Sequence, residues 1–411
     1  MRILFLTPYL PYPPSKGTAL RNLYILRGAA RSHQVHLLTF ARDSDREAVE
    51  TVRRDLEGVE VATPPIRSTV QRLAGLPSPR PDLVCRLRSE EFRAKLQKAM
   101  ETGGFDLVQV EGLEMGPYAL EVYRLGRGDA RRPLVLFDDH NAEYALQRSA
   151  YLADLRLPRR WPQAAYSLIQ WRKLRSYERE VCRRVDGVLA VSEADASALR
   201  ALAPGLRPRV IPNGVDTTAF GYRSPAGPSD EGAPVLVFTG TMDYRPNVDA
   251  AVWFCRQVLP LIQREQPSAR LLLVGREPSP AVRALDGHGV SVTGSVEDVR
   301  PYLRQGNVFV APLRMGSGTR LKILEAMSSG LPVVSTTIGI EGIAATPGRE
   351  ALVADDPKNF ASCILKLLAD PARALSLATR ARLLVEQRYE WAVILPALEE
   401  VYQEMGQGRP L

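Results

Sequence analysis

The chain has 411 residues, a formal net charge of +8, and hydrophobic and charged contents of 45% and 24%. That length exceeds what one hydrophobic core usually organises, so two domains of an ordinary soluble globular protein are expected. No apolar run approaches the ~18 residues of a membrane span, and the four cysteines and four histidines form no CxxC, HExxH or similar set, which excludes a zinc site or disulfide framework and fits a reducing compartment.

The N-terminal MRILFLTPYLP has one Arg, a short apolar run and no small-residue cleavage site, so it reads as a core strand and not as a signal peptide. A loop, PYLPYPPSKGTALRN, then a helix, ALRNLYILRGAARS, and a strand, HQVHLLTF, follow. FDLVQV (105–110), PLVLFDDHN (133–141) and VDGVLAVSEAD (185–195) are further strands whose ends carry polar or acidic residues. The second half repeats the alternation with APVLVFTG (233–240), ARLLLVGRE (269–277), VSVTGSV (290–296), NVFVAPL (307–313) and LPVVSTT (331–337). Continuous apolar strands separated by helices indicate parallel sheets covered on both faces. The fold class is therefore α/β, with two Rossmann-like domains. They are expected at 1–205 and 233–387, joined by a Pro/Gly/Ser-rich linker at 206–232, with a terminal helix, 388–411, returning to the first domain. Ligands of such sheets bind at the carboxyl ends of the strands, which puts the expected site in a cleft between the domains. The terminal helical stretch should break at Pro396, with Trp391 and Tyr402 as core anchors on the first domain. Asn213-Gly214 reads as a turn in which Asn-Gly supplies positive φ.

The positive charge admits three partners: nucleic acid, an anionic membrane surface, or phosphorylated small molecules. Without a zinc finger, an RNP-type strand or a long Lys/Arg run, nucleic acid is not expected. Segments 64–81 and 155–180 mix Arg and Lys with Trp, Tyr, Leu and Ile, which suits a membrane interface with anionic lipid. A solvated helix face with an apolar core side is the other reading of the same pattern.

The richest chemistry lies in RMGSGTRLKILEAMSSGLPVVS (314–335). A glycine-rich turn, Gly316-Ser317-Gly318-Thr319, follows a strand and precedes a helix expected to start near Thr319. Such a turn leaves backbone N–H groups pointing at the helix mouth, where an anion binds. Arg320 and Lys322 extend cationic reach toward the same place, so a phosphate or pyrophosphate is the natural guest. Glycine also simply permits a tight turn. Glu325, deeper in the helix among Ile323, Leu324, Ala326 and Met327, is placed to accept hydrogen bonds from sugar hydroxyls.

This segment closely resembles the donor-binding stretch of retaining GT-B glycosyltransferases of family four. PPSKGTALRN, DDHNAEY, AVSEAD, VIPNGVD, FTGTMDYRPNVDA, LLLVGRE, VTGSVEDVRPYL and RYEW agree in order and spacing, and MDYRPNVDA with DDHNAEY points to the bacterial cell-surface polysaccharide or exopolysaccharide branch. The resemblance implies that Glu325 holds the donor ribose, as the second acid of a paired-glutamate motif. It puts Gly316, Ser317 and Gly318 beside the diphosphate and sugar, with Ser317 where relatives have the first glutamate, so the donor sugar is the open question. It makes Val296 the backbone contact to the base, Gly17 a close approach to the donor phosphate with Lys16 beside it, and His140 the active-site histidine that meets the sugar. For His140 a structural hydrogen-bonding role is the competing reading. The family's Arg and Lys after the first strand of the second domain have no clear match. Gly240 begins that region, Arg245 is its one cation, and Lys322 or Arg320 is expected to take over the neutralising role.

The implied enzyme moves a sugar from a nucleotide-diphosphate sugar to a saccharide or lipid-linked acceptor. Retention by front-face substitution follows from the resemblance. No metal or other cofactor is expected, because neither Asp138-Asp139 nor Asp355-Asp356 makes a persuasive DxD-type site, and fixed amides and cations can stabilise the leaving diphosphate instead. The expected setting is the cytoplasm, with peripheral contact at the inner membrane face. A nucleotide-sugar epimerase, or a catalytically weak nucleotide-sugar binder on the same scaffold, are the alternatives. A dinucleotide dehydrogenase is disfavoured because no GxGxxG follows the first strand.

Overall fold

The computed structural model describes residues 1–411 except 15–16, 69–74, 76, 127–131, 156–157, 223–231, 317 and 409–411. The chain forms two compact units, Met1–Pro212 with Leu395–Leu411, and Asn213–Ile394.

The first unit is built on a seven-stranded sheet: β1 (Arg2–Thr7), β2 (Gln34–Phe40), β3 (Gly58–Ala62), β4 (Leu107–Glu111), β5 (Leu134–Asp139), β6 (Gly187–Ala190) and β7 (Arg209–Val210). Their order is β3-β2-β1-β4-β5-β6-β7, and every pair is parallel. Phe5, Phe92 and Phe137 are among its largest fully buried side chains. The second unit has a six-stranded parallel sheet of β8 (Val235–Thr239), β9 (Arg270–Val274), β10 (Val290–Gly294), β11 (Val308–Ala311), β12 (Val333–Ser335) and β13 (Leu352–Val353). Its order is β10-β9-β8-β11-β12-β13, and Phe238, Phe254, Phe309 and Phe360 fill its core. The near-continuous burial of β4, β8 and β11 is what covering both faces of a parallel sheet with helices demands. Strand order reverses direction at β1/β4 in one sheet and β8/β11 in the other, and such switch points open crevices at the strand carboxyl ends.

β3, β7 and β13 escape a search for apolar runs. GVEVA alternates Val with an exposed Glu60 at a sheet edge, and the other two strands contain two residues each. The terminal helical stretch does not break at Pro396. It divides into Pro371–Arg388 and Trp391–Gly406, with Pro396 inside the second helix. The interruption falls at Tyr389–Glu390 because the chain pairs there with Val215, whose N–H donates to the Tyr389 carbonyl at 2.8 Å. Trp391, expected to anchor on the first domain, belongs to the second unit and packs on Gly214, where a Cβ would lie 2.6 Å from its ring. Gly214 is not among the residues with positive φ. Space for the indole, and not a left-handed turn, is what this glycine provides.

Candidate active site

In the second unit, the chain leaves β8 at Gly240 and β9 at Gly275, with φ of +152° and +153°. A Cβ on Gly275 would collide with the Gly240 carbonyl oxygen, and one on Gly240 would lie 2.5 Å from Lys322 Nζ and 2.7 Å from Asn247 Nδ2. Two strand ends and one cation thus share space that no side chain could enter. Beyond β11 the chain turns through Gly316 (φ +112°) and Gly318 (φ +78°). A Cβ on Gly316 would come 2.8 Å from an Arg320 guanidinium nitrogen, so the turn wraps that side chain. Gly342 backs the Gly318–Thr319 peptide, and its carbonyl accepts a hydrogen bond from Thr319 Oγ1 at 3.3 Å.

The following helix is Leu321–Ser328 with Arg320 as its N-terminal cap, two residues later than the expected start. The chain first needs the open conformation of Arg320 (φ −86°, ψ 90°) to leave the glycine turn. This shift puts Lys322 in the first helical turn. Its Nζ donates to Asn247 Oδ1 at 2.8 Å and lies 4.4 Å from the centre of the Phe238 ring. Burial, and then the neighbouring Arg320 charge, lower its pKa from 10.5 to about 7, against a smaller opposing effect of Glu325. Glu325 is half-buried. Burial raises its pKa from 4.5 to about 7, with Lys322 pulling the other way. The Glu325 carboxylate has no hydrogen-bond donor among the described residues, so its lone pairs are available to a ligand's hydroxyls.

Arg245 opens the helix Arg245–Trp253 and is half-buried. Asn247, in the same first turn, donates through Nδ2 to the Thr241 carbonyl at 2.8 Å and so ties the loop after β8 to Lys322. Val296 lies beyond β10, partly buried against the cluster that contains Ile323 and Leu324. Ser317 lies outside the described residues.

In the first unit, Gly17 opens the helix Gly17–Ala29, and Lys16 lies outside the described residues. His140, directly after β5, is buried, and its Nε2 is 2.8 Å from Glu111 Oε2. The other Glu111 oxygen accepts from Gln109 Nε2 at 2.7 Å, and the Gln109 oxygen accepts from Tyr402 OH at 2.6 Å. Four residues thus form one buried chain of hydrogen bonds, running from His140 through the end of β4 to the helix Trp391–Gly406. Burial alone would lower the His140 pKa. The Glu111 hydrogen bond and the charges of Asp138 and Glu111 outweigh it and raise the value. Gly112 (φ +81°) lies against the other ring edge, where a Cβ would sit 2.9 Å from Glu114 Oε2 and 3.5 Å from His140 Nδ1.

Ligand atoms of Glu111, Asp138 and His140 lie within 4.8 Å of one another. Their charges are already matched. Asp138 receives Arg21 through two bonds of 2.9 and 3.0 Å, both side chains fully buried, while Glu111 is occupied by His140 and Gln109. Asn247, Phe238, Glu111 and Arg21 are the residues that sequence reasoning did not single out. The acidic ends of β4 and β5 are the one signal that pointed toward any of them.

Two family models match the chain. "Glycosyltransferase Family 4" matches residues 16–219 and "Glycosyl transferases group 1" matches residues 233–370. A phosphatidyl-myo-inositol mannosyltransferase of Mycolicibacterium smegmatis is 26% identical over 92% of this chain and 91% of its own length. An uncharacterized 44.6 kDa protein in the cps region of Klebsiella pneumoniae is 26% identical, but the match spans 38% of this chain and 42% of that protein. Among solved structures, sucrose-phosphate synthase from Thermosynechococcus elongatus superposes with a TM-score of 0.72 at 18% identity, over 99% of this chain and 100% of the other. Anabaena HepE in complex with UDP-glucose gives 0.66 at 17%, over 98% and 100%. These likenesses establish a GT-B fold of two Rossmann-like sheets. With two models together spanning most of its length, the chain belongs to glycosyltransferase family 4 and is a glycosyltransferase of the GT-B fold.

Proposed function

We propose that this glycosyltransferase takes a sugar from a nucleotide-diphosphate sugar and passes it, with retention and without a metal ion, to a saccharide or lipid-linked acceptor in cell-surface polysaccharide assembly. One observation carries the donor assignment. Lys322 is a cation lodged beside two glycine-lined strand ends, with Arg320 next to it and a neutral amide as its bonded partner. A half-buried, desolvated cation without a bonded counter-ion is costly, and a diphosphate would supply the missing charge.

In this reading, Gly240, Gly316, Gly318 and Thr319 let the diphosphate approach the backbone, with Ser317 between them. Lys322, Arg320 and Arg245 neutralise it, and Glu325 accepts from the ribose hydroxyls. Val296 meets the base through its backbone. Gly17 is assigned to a donor phosphate, and His140, held by Glu111, to the transferred sugar. Fixed charges of this kind stabilise the leaving diphosphate without reorganising, which is why no divalent ion is invoked. The departing phosphate oxygen then takes the acceptor's proton while the acceptor attacks from the same face. The UDP-glucose bound by HepE and the lipid that the mannosyltransferase's name specifies support a nucleotide sugar and a lipid-linked acceptor here, and so a working place at the cytoplasmic face of a membrane. No helix among the described residues is long and apolar enough to cross a membrane.

A thermal-shift and hydrolysis screen across nucleotide sugars tests the assignment, since a bound donor stabilises the fold by an amount that grows with the logarithm of its affinity. One nucleotide sugar should raise the melting temperature and be slowly hydrolysed, and Lys322→Met should remove both effects. A protein unmoved by every nucleotide sugar would refute the reading. Proton NMR of the product linkage tests retention, and an inverted anomeric centre would exclude it.

A further inference from the structure

We propose that the solvent-facing side of the paired helices Glu143–Leu155 and Trp161–Arg184 docks onto a bilayer surface bearing anionic phospholipid headgroups. The proposal rests on the lipid-linked acceptor reading above and gives that reading a surface.

Five large hydrophobic side chains left exposed in the described chain fall between positions 152 and 169: Leu152 at 41%, Leu155 at 47%, Trp161 at 59%, and Tyr166 and Ile169 at 43% each. Three of them, Leu152, Leu155 and Trp161, lie in the last turn of the first helix and the first turn of the second. In the longer helix, Ala164, Ser167, Gln170, Leu174, Glu178 and Val181 face the protein. Trp161, Ile169 and Arg172 occupy the opposite arc, at i, i+8 and i+11. Apolar side chains therefore project from the first turns of this arc and cations from the turns that follow.

Between positions 148 and 175 the exposed charge has one sign; Glu180, further along the longer helix, pairs with Arg184 at 3.0 Å. From 148 to 175 the sequence holds seven Lys/Arg and a single acid, Asp154. Asp154 is buried and lies 3.4 Å from Arg160. Glu178, the next acid, is also buried, accepting from the N–H groups of Glu143 and Tyr144 at 2.8 and 2.9 Å. Arg159, Arg172 and Arg175 are exposed and have no ion-pair partner among the described residues. A protein interface core is depleted of charge. Aromatic and aliphatic side chains flanked by unpaired cations instead match the boundary between headgroups and acyl chains, where apolar burial and anionic lipid act together.

The test uses the full chain and vesicles of phosphatidylcholine with phosphatidylglycerol, against phosphatidylcholine alone. The wild-type protein should sediment with the anionic vesicles and lose this binding as salt is raised. Arg159→Gln/Arg172→Gln/Arg175→Gln should weaken partitioning by about fivefold per cation removed, with unchanged melting temperature and donor hydrolysis. Trp161 is far more exposed than the buried Trp253 and Trp391, so its emission should shift to the blue on anionic vesicles and the shift should vanish in Trp161→Phe. No partitioning of the wild type, or equal partitioning of wild type and triple variant, overturns the proposal. So does self-association that Trp161→Ser abolishes in the absence of vesicle binding, which would make this face an interface between two copies. Vesicle binding without any nucleotide-sugar turnover would instead sink the donor assignment and leave the docking face standing.

Discussion

Lys322 donates to Asn247 across the mouth of the glycine turn at 2.8 Å, so the cation is held by an amide that cannot neutralise it. Lys322→Met should abolish donor binding and yet stabilise the fold by about 1 kcal/mol at neutral pH, because a desolvated charge is removed. Between pH ~7 and ~10.5 the unfolded chain keeps the lysine proton that the folded chain gives up, so this group makes stability rise with pH across that window. Urea unfolding at several pH values should show that rise in the wild type and not in the variant.

Donor affinity should peak near pH 7. Lys322 must be charged to hold the diphosphate, and Glu325 must be ionised to accept fully from the ribose; both titrate at about 7, in opposite senses. Calorimetric affinities for the donor should fall on either side of this value. Glu325→Gln should flatten the acid limb alone. A profile independent of pH from 6 to 8 would contradict the assignment of these two groups.

The Arg21–Asp138 pair is fully buried, and Arg21 also donates to the Pro212 carbonyl at 3.1 Å. Removing one partner leaves an uncompensated charge, so Arg21→Met should cost about 3–5 kcal/mol. Arg21→Met/Asp138→Leu should recover most of it. Denaturant midpoints of the wild type and the two variants decide this.

Glu111→Gln should lower the His140 pKa, because Glu111 supplies the bond that opposes burial. Turnover should fall on the order of 10²-fold through misorientation of the ring, with little change in donor affinity. Tyr402→Phe, two hydrogen bonds further away, should give a smaller effect in the same direction. Ring NMR titrations of both variants separate reorientation from loss of fold.

Gly214→Ala should destabilise the protein by about 1–3 kcal/mol through overpacking against Trp391. Gly214→Ala/Trp391→Phe should be milder than the sum of the single changes. Thermal unfolding of the set tests whether the glycine answers to space or to backbone conformation.

The strands on either side of each switch point were legible because their apolar runs are continuous: RILFLT and LVQVE in one sheet, VLVFT and VFVA in the other. The glycine turn and its cations were legible because backbone chemistry there is local. What places Lys322 is not local. Its partners Asn247 and Phe238 come from a different helix and strand, and a contact across ~75 positions leaves no periodic trace. Glu111 was hidden for a similar reason, because a strand-end acid acquires meaning only when a neighbouring strand delivers a histidine beside it. Pro396 misled in the opposite way. A local rule marked it as a helix breaker, whereas pairing of Val215 with the 389–390 segment decided where the helix ends.

The division of the chain also has a consequence for its synthesis. Residues 395–408 belong to the first unit, yet they are translated after all of Asn213–Ile394. Until they emerge, Gln109 lacks its Tyr402 hydroxyl partner and the face that buries Leu398, Val401 and Met405 stays open. The unit whose sequence begins first is therefore the one completed last. A nascent chain arrested before residue 395 should carry a finished second sheet beside a first unit that is still waiting for its closing helix.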